Sequence, residues 1–232
     1  MTESAPNVYA CAEVREVQRL HRDLLTDTFR QLPIREQLDC QAQRIFEAHK
    51  SGDKAVTPHI KCWHPTLVGH SIEDIMACDF TLNDARNTIA REYGFSDWAD
   101  AEERGIDPPD PDFESAVDAI LSGDMAALRS LLDFKPSLIH ARSSYGHGST
   151  LLHYVGSNGV ETRRQVVPLG LAGVTQFLLD KGADVNATAE MYGGDSTTIA
   201  LLISSSHPLG AGVMDEVVKV LLDAGAETDR SP

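Results

Sequence analysis

Apolar residues recur at helical spacing along much of the chain, and this pattern predicts an all-α protein. In the first half it predicts two amphipathic helices, over 13–31 and 33–48, which we expect to pack as a hairpin. The apolar stripe of the first of these helices consists of Leu20, Leu24, Leu25 and Phe29.

Capping residues predict shorter helices in the rest of the first half. Thr81 and Asp84 have the spacing of a helix N-terminus, and Gly94 follows where that helix should end. Ser96 is predicted to cap a last helix, which carries Trp98.

An acidic, proline-rich segment, DPPDPD at 107–112, separates two regions with different sequence patterns. A chain of 232 residues is long enough for two small domains, each with its own core. We therefore predict a helical N-terminal cap region over 1–106 and a second domain over 113–232.

The second domain contains an internal repeat. The stretch YGHGSTLLHYV at 145–155 aligns without a gap on YGGDSTTIALL at 192–202, with Tyr, Gly, Ser and Thr at equivalent positions. Each copy is followed by an apolar helical pattern that ends at a glycine, in FLLDKGADVNA and in VLLDAGAETD. Gly182 and Gly225 lie where the chain leaves these helices, a place that favours a left-handed residue.

These motifs resemble those of ankyrin repeats. Thr150 and His153 have the spacing of an N-terminal cap, and TLLHYV is similar to the TPLHxA signature of that family. LLDKGADVNA is similar to its helix ending and hairpin, and TLNDARNTIAREYGFSDWADAEE resembles the helical lead-in of bacterial ankyrin proteins. The resemblance implies about three repeats, stacked as antiparallel helix pairs with projecting hairpins. We therefore expect an ankyrin-repeat stack covered at one end by the helical first half.

Two loops are longer than ankyrin repeats require, at 159–169 and 207–213, and equivalent loops of adjacent repeats should lie side by side. Arg163 and Arg164 in the first loop could form an anion site, or the loop could simply be a solvated charged segment. With the hairpins, the loops supply the candidate ligand- or partner-binding residues. These are Tyr145, His147, Asn158, Glu161, Arg163, Arg164, Gln165, Tyr192, Ser205 and His207.

Other candidate chemistry has a simpler interpretation. His59, Cys62 and His64 are metal-ligand types, but their spacing does not match a zinc site, and we expect surface histidines in a connecting loop. His153 is expected to be structural, as part of its cap. Ser149 lies in no nucleophile motif. We therefore assign no catalytic residue, no metal and no cofactor.

Net charge narrows the choice of partners. The formal charge is -15, with an acidic excess in both halves, so phosphate backbones and anionic membranes are disfavoured. No apolar run approaches the ~20 residues of a membrane helix, the start lacks a secretion signal, and the four cysteines show no pairing pattern. We expect a cytoplasmic protein with reduced thiols.

Two functions remain open at this stage. The first is an ankyrin-type module that binds a protein partner through its hairpin tips and concave face. The alternative is a small-molecule-binding protein, or a non-standard enzyme, that takes a polar or anionic metabolite in a pocket walled by the two long loops. A homo-oligomer formed through the cap region is a further expectation to test.

Overall fold

Helices make up most of the chain in the computed structural model, which describes residues 7–228, and the predicted all-α class is confirmed. The α-helices of the first half are α1 (Ala12–His21), α2 (Asp27–Arg30), α3 (Ile34–Ser51), α4 (Thr57–Trp63), α5 (Ile72–Ala77), α6 (Leu82–Glu92) and α7 (Trp98–Arg104). Those of the second half are α8 (Pro111–Ser122), α9 (Met125–Phe134), α10 (Leu171–Asp180), α11 (Thr198–Ser204), α12 (Ser206–Gly210) and α13 (Met214–Asp223).

Shorter elements connect these helices. Segments of 3-10 helix lie at Lys54–Val56, Pro136–His140, Leu151–Gly156 and Thr162–Arg164. The strands are β1 (Val8–Tyr9), β2 (Val167–Pro168), β3 (Thr188–Ala189) and β4 (Ser196–Thr197). They form two antiparallel pairs, β1 with β2 and β3 with β4, so the first strand of the described chain lies against the second half.

The predicted helix over 13–31 is wrong, because the chain breaks it after His21. The His21 carbonyl accepts hydrogen bonds from Leu24 and Leu25, and the hydroxyl of Thr26 then accepts from the Phe29 amide to begin α2. A threonine in this position competes with the helix interior for backbone groups. The buried face of α1 consists of Val14, Val17, Leu20 and His21.

Most of the predicted caps are confirmed. Thr81 and Asp84 form a capping box at the start of α6, and Gly94 follows its end with φ of 79°. Ser96 is not the cap of α7, however. Asp97 has that role, since its carboxylate accepts the Asp100 amide at 2.9 Å.

The two copies of the sequence repeat have equivalent helix endings. Gly182 follows α10 and Gly225 follows α13 in left-handed conformations, with φ of 95° and 90°. In each case the amide of the next alanine bonds back to a leucine carbonyl five residues earlier, at 3.0 Å. The Thr150–His153 cap is also present, although the segment it opens is a 3-10 helix rather than an α-helix.

Buried apolar side chains form two clusters. The first cluster lies among α3, α4, α5, α6 and α7, and the second lies among the helix pairs of the second half. Helix α1 belongs to both, because Val14 is part of the second cluster and Leu20 part of the first. Tyr145, from the second half, is buried in the first cluster. The halves are therefore joined by exchanged side chains as well as by β1.

Candidate functional site

A cleft of about 660 Å³ lies where the two halves meet. The first half contributes the end of α4 and the segment from the end of α6 to α7. The second half contributes the hairpin around Gly146, Gly159 at the start of the long loop, and the loop between β3 and β4. This volume falls within the range of roughly 300–1,000 Å³ found for small-molecule sites.

An aromatic pair spans the cleft from one half to the other. The rings of Trp63 and Tyr192 are stacked, with centroids 5.8 Å apart and an angle of 13° between their planes. The Tyr192 hydroxyl donates to Asn158 Oδ1 at 2.6 Å, and Trp63 Nε1 donates to Thr162 Oγ1 at 3.3 Å. Both rings are thus held in place by the second half, and the outer face of Tyr192 stays open to solvent.

Backbone packs directly on backbone beside this cleft. A Cβ atom on Gly94 would meet the backbone of His147, and one on Gly146 would meet the backbone of Gly94, in both cases closer than the 3.0 Å that real Cβ atoms keep. The His147 amide donates to the Tyr93 carbonyl at 3.3 Å across the same contact. Only glycine allows so close an approach.

The loop over the cleft has an unusual backbone. Tyr192, Gly193, Gly194 and Asp195 all have positive φ, which a tyrosine adopts only at a cost. The loop is held at its base by the Glu190 amide, which donates to the His147 carbonyl at 2.9 Å.

Some of the charged side chains in the cleft form ion pairs and others do not. Arg104 pairs with Asp100 at 3.1 Å, and its guanidinium lies over the Phe95 ring at 5.1 Å. Arg91 and Glu190 also line the cleft, and neither has an ion-pair partner within residues 7–228.

The long loop over 159–169 is folded inward rather than solvated. Arg164 is 3% exposed and pairs with Glu114 at 2.6 Å and with Glu161 at 2.9 Å. Burial raises the pKa of Glu114 despite the guanidinium. Burial also opposes ionisation of Glu161, but Arg164, His147 and Arg163 outweigh it and lower that pKa. The anions that Arg164 holds are therefore side chains of its own chain.

His147 and Tyr145 are buried next to this ion cluster. His147 Nδ1 accepts the Ser149 amide at 3.2 Å, and burial lowers the pKa of this imidazole to about 4. Among the described residues, no partner reaches His147 Nε2 or Glu161 Oε2. Tyr145 packs edge-on against Tyr93, with ring centroids 4.8 Å apart.

A second buried polar chain runs through the first half. Glu92 bonds to His59 Nδ1, and His59 Nε2 is 3.1 Å from His21 Nε2. The other carboxylate oxygen of Glu92 accepts the Thr162 amide at 2.8 Å, which ties this chain to the long loop. Burial, followed by the neighbouring His59, lowers the pKa of His21 well below its usual value.

The expectation of surface histidines at 59 and 64 is wrong. His59 is 1% exposed on α4, and His64 is 7% exposed immediately after that helix, whereas Cys62 is exposed. Within residues 7–228, no three ligand-type side chains are grouped closely enough to hold a metal ion.

The two long loops lie side by side, as predicted. His207 Nε2 is 3.2 Å from Gln165 Oε1, and Ser205 Oγ donates to the Ser157 carbonyl at 3.0 Å. Gly159, at the start of the first loop, lines the cleft, but the contacts between the two loops lie away from the lining, so the loops mainly brace each other.

The predicted binding residues are thus distributed over three places. Tyr145, His147, Glu161, Arg163 and Arg164 surround the buried ion cluster. Asn158 and Tyr192 form one pair at the cleft, and Gln165, Ser205 and His207 form the contact between the loops.

Several cleft residues were not predicted. Trp63, Arg91 and Glu190 belong to no recognisable motif, and the sequence around Gly94 indicates only the end of a helix. One feature of the sequence could have indicated the cleft: Gly94 and Gly146 both lie next to aromatic residues.

No protein-family model, no curated protein and no solved structure matches the chain. None of the helices in residues 7–228 combines the length and the apolar character needed to cross a bilayer.

Proposed function

We propose that this protein binds a small polar or anionic molecule in the cleft between its two halves. The second half is, in this proposal, an ankyrin-type stack of helix pairs. The matching helix endings at Gly182 and Gly225 and the Thr150–His153 cap support that assignment. In a domain of stacked repeats, the side that carries the hairpins is normally free to bind a partner.

The observation that carries the proposal is that the first half packs against the hairpins of the second half and still leaves a cleft beside them. His147 and Gly146 contact the first half, and Tyr192 is stacked on Trp63. The cleft of about 660 Å³ that remains combines an aromatic wall with charged groups, which is the usual make-up of a small-molecule site.

The test uses Trp63 as a reporter. The chain has two tryptophans, and Trp98 lies under Arg86 rather than in the cleft lining, so Trp98→Phe leaves one reporting ring. This variant is exposed to the small-molecule fraction of a cell extract and followed by fluorescence and native mass spectrometry. We expect a bound mass together with a change in Trp63 emission.

A matched pair of variants locates the bound molecule. Tyr192→Ala removes the cleft wall and should abolish the bound mass, whereas Phe134→Ala changes an aromatic ring that is 85% exposed elsewhere and should have no effect. Absence of any bound mass, or equal binding by both variants, would refute the proposal.

Protein binding is a second candidate, supported by apolar side chains on the last helices. Ile203, Leu209 and Leu222 are 59%, 66% and 46% exposed on α11, α12 and α13. Exposed apolar groups of this size are typical of interaction surfaces when they are contiguous. Capture of a protein that is lost when Ile203 and Leu209 are changed to serine would support this candidate, and capture unaffected by those changes would count against it.

A further inference from the structure

Two opposite charges are left unpaired in the cleft, one on each half of the molecule. Arg91 belongs to α6 in the first half, and Glu190 precedes the loop between β3 and β4 in the second half. Both side chains are exposed, and neither forms a salt bridge with the other or with any other group in residues 7–228. The other charges of the cleft, Arg104 and Asp100, already neutralise each other at 3.1 Å.

The position of Glu190 is defined by its backbone. Its amide bonds to the His147 carbonyl at 2.9 Å, at the contact between the halves. Its Oε2 lies over the tip of the loop, 3.3 Å from where a Cβ on Gly194 would be. The carboxylate is therefore directed along the loop that covers the cleft.

A ligand with a single charge would suit only one of these two groups. A simple anion would pair with Arg91 but would be repelled by Glu190, in a protein whose net charge is already -15. A simple cation would pair with Glu190 and be repelled by Arg91. A molecule that carries both charges, some distance apart, satisfies both groups at once.

We infer that the cleft binds a zwitterion with separated ends, of the kind represented by a short peptide with free termini. Its carboxylate pairs with Arg91, whose planar guanidinium suits two-point contact with a carboxylate, and its ammonium pairs with Glu190. The apolar part between the two ends lies against Phe95 and the Trp63–Tyr192 pair. This inference rests on the proposed function, since it names the ligand class of the same cleft.

The experiment compares three preparations of one probe, an equimolar mixture of dipeptides. One preparation has free termini, one is N-acetylated and lacks the ammonium, and one is C-amidated and lacks the carboxylate. Binding is followed by Trp63 fluorescence in the Trp98→Phe protein. Because Arg91 and Glu190 are exposed, each ion pair with the ligand contributes up to about 1 kcal/mol, so each blocked preparation should bind about twofold to fivefold more weakly.

Variants assign each end to its partner. Arg91→Gln should make the amidated and free dipeptides bind equally, and Glu190→Gln should do so for the acetylated and free dipeptides. Both side chains are exposed, so the fold should be unaffected, as circular dichroism would check. Lys219→Gln and Glu73→Gln remove the same charges at exposed positions outside the cleft and should leave all three affinities unchanged.

The outcomes separate this inference from the proposed function. If the acetylated dipeptides bind as well as the free ones, or if the free dipeptides do not bind, the zwitterion inference is overturned. The proposed function still stands in those cases if the cell extract yields a bound mass that Tyr192→Ala abolishes. If the extract also yields none, both ideas fail.

Discussion

Two buried histidines make the stability of this fold depend on pH. In His153, Nδ1 accepts hydrogen bonds from the Thr150 amide at 3.1 Å and from its hydroxyl at 2.8 Å. In His147, Nδ1 accepts the Ser149 amide at 3.2 Å. A proton added to Nδ1 of either imidazole would point at the backbone N–H group that already donates to that nitrogen. This geometry agrees with the lowered pKa of both imidazoles, about 4, whose main cause is burial.

The direction of the effect follows from linkage. The unfolded chain takes up a proton on each imidazole below its usual pKa of 6.5, whereas the folded protein does so only near 4. Their contribution to stability is therefore complete above pH 6.5 and is lost as the pH falls towards 4. At pH 5 the loss is about 2 kcal/mol for each histidine, or about 4 kcal/mol for the two.

Neighbouring groups add to this loss or offset part of it. His21 has a lowered pKa, because of burial and then of His59, and acts in the same direction. Glu114, whose pKa is raised by burial, acts in the opposite direction. Glu161 has a lowered pKa and destabilises the fold only at more acidic pH, below its usual value of 4.5.

Urea unfolding at pH 7.5 and pH 5.0, followed by circular dichroism, measures the difference. The His153→Gln variant cannot titrate at this position, so its own free energy of unfolding should change by about 2 kcal/mol less between the two pH values. His70→Gln, at an exposed position, should show the full change. A wild-type difference below about 1 kcal/mol, or identical differences in wild type and His153→Gln, would refute the reasoning.

Three further changes test the fold, each by its free energy of unfolding in urea. Gly146→Ala forces a Cβ into the backbone of the first half and should destabilise by several kcal/mol, about 2 or more, whereas Gly173→Ala in open space on α10 should stabilise by about 0.5–1 kcal/mol. Arg164→Met leaves buried carboxylates without their partner and should cost about 3–5 kcal/mol. Its control, Lys219→Met, breaks an exposed pair and should cost less than about 1 kcal/mol. Thr81→Ala removes a capping box and should cost about 1 kcal/mol. Equal effects in a variant and its control, or no effect of the Thr81 change, would contradict the corresponding argument.

Features that depend on a few consecutive residues could be predicted from the sequence. The capping box at Thr81, the left-handed glycines after α10 and α13, and the contact between the two long loops are all present. Each follows from local backbone chemistry or from the regular spacing of a repeat. The prediction of one continuous helix over 13–31 failed for a local reason too, because the cap at Thr26, which begins the separate helix α2, was not recognised.

Features that depend on distant residues could not be predicted. Arg164 is charged and lies in a long loop, and nothing near it in the sequence indicates that Glu114, fifty positions earlier, will neutralise it in the interior. The cleft could not be predicted for the same reason, since Trp63 and Tyr192 are brought together only when the halves pack. Burial of a charge is decided by its partner in space, which a single sequence does not identify.

The pairing of β1 with β2 has a consequence for synthesis of the chain on the ribosome. Val8 and Tyr9 lie opposite Pro168 and Val167 in the strand pair, and the Tyr9 ring packs against Gly210. At translation rates of about 5–20 residues per second, this first segment waits roughly 10–30 s before its partner strand has been made. During that time Val14 of α1, which belongs to the cluster of the second half, lacks its final covering. The segment around β1 is therefore among the last parts of the described chain to reach its native position during synthesis.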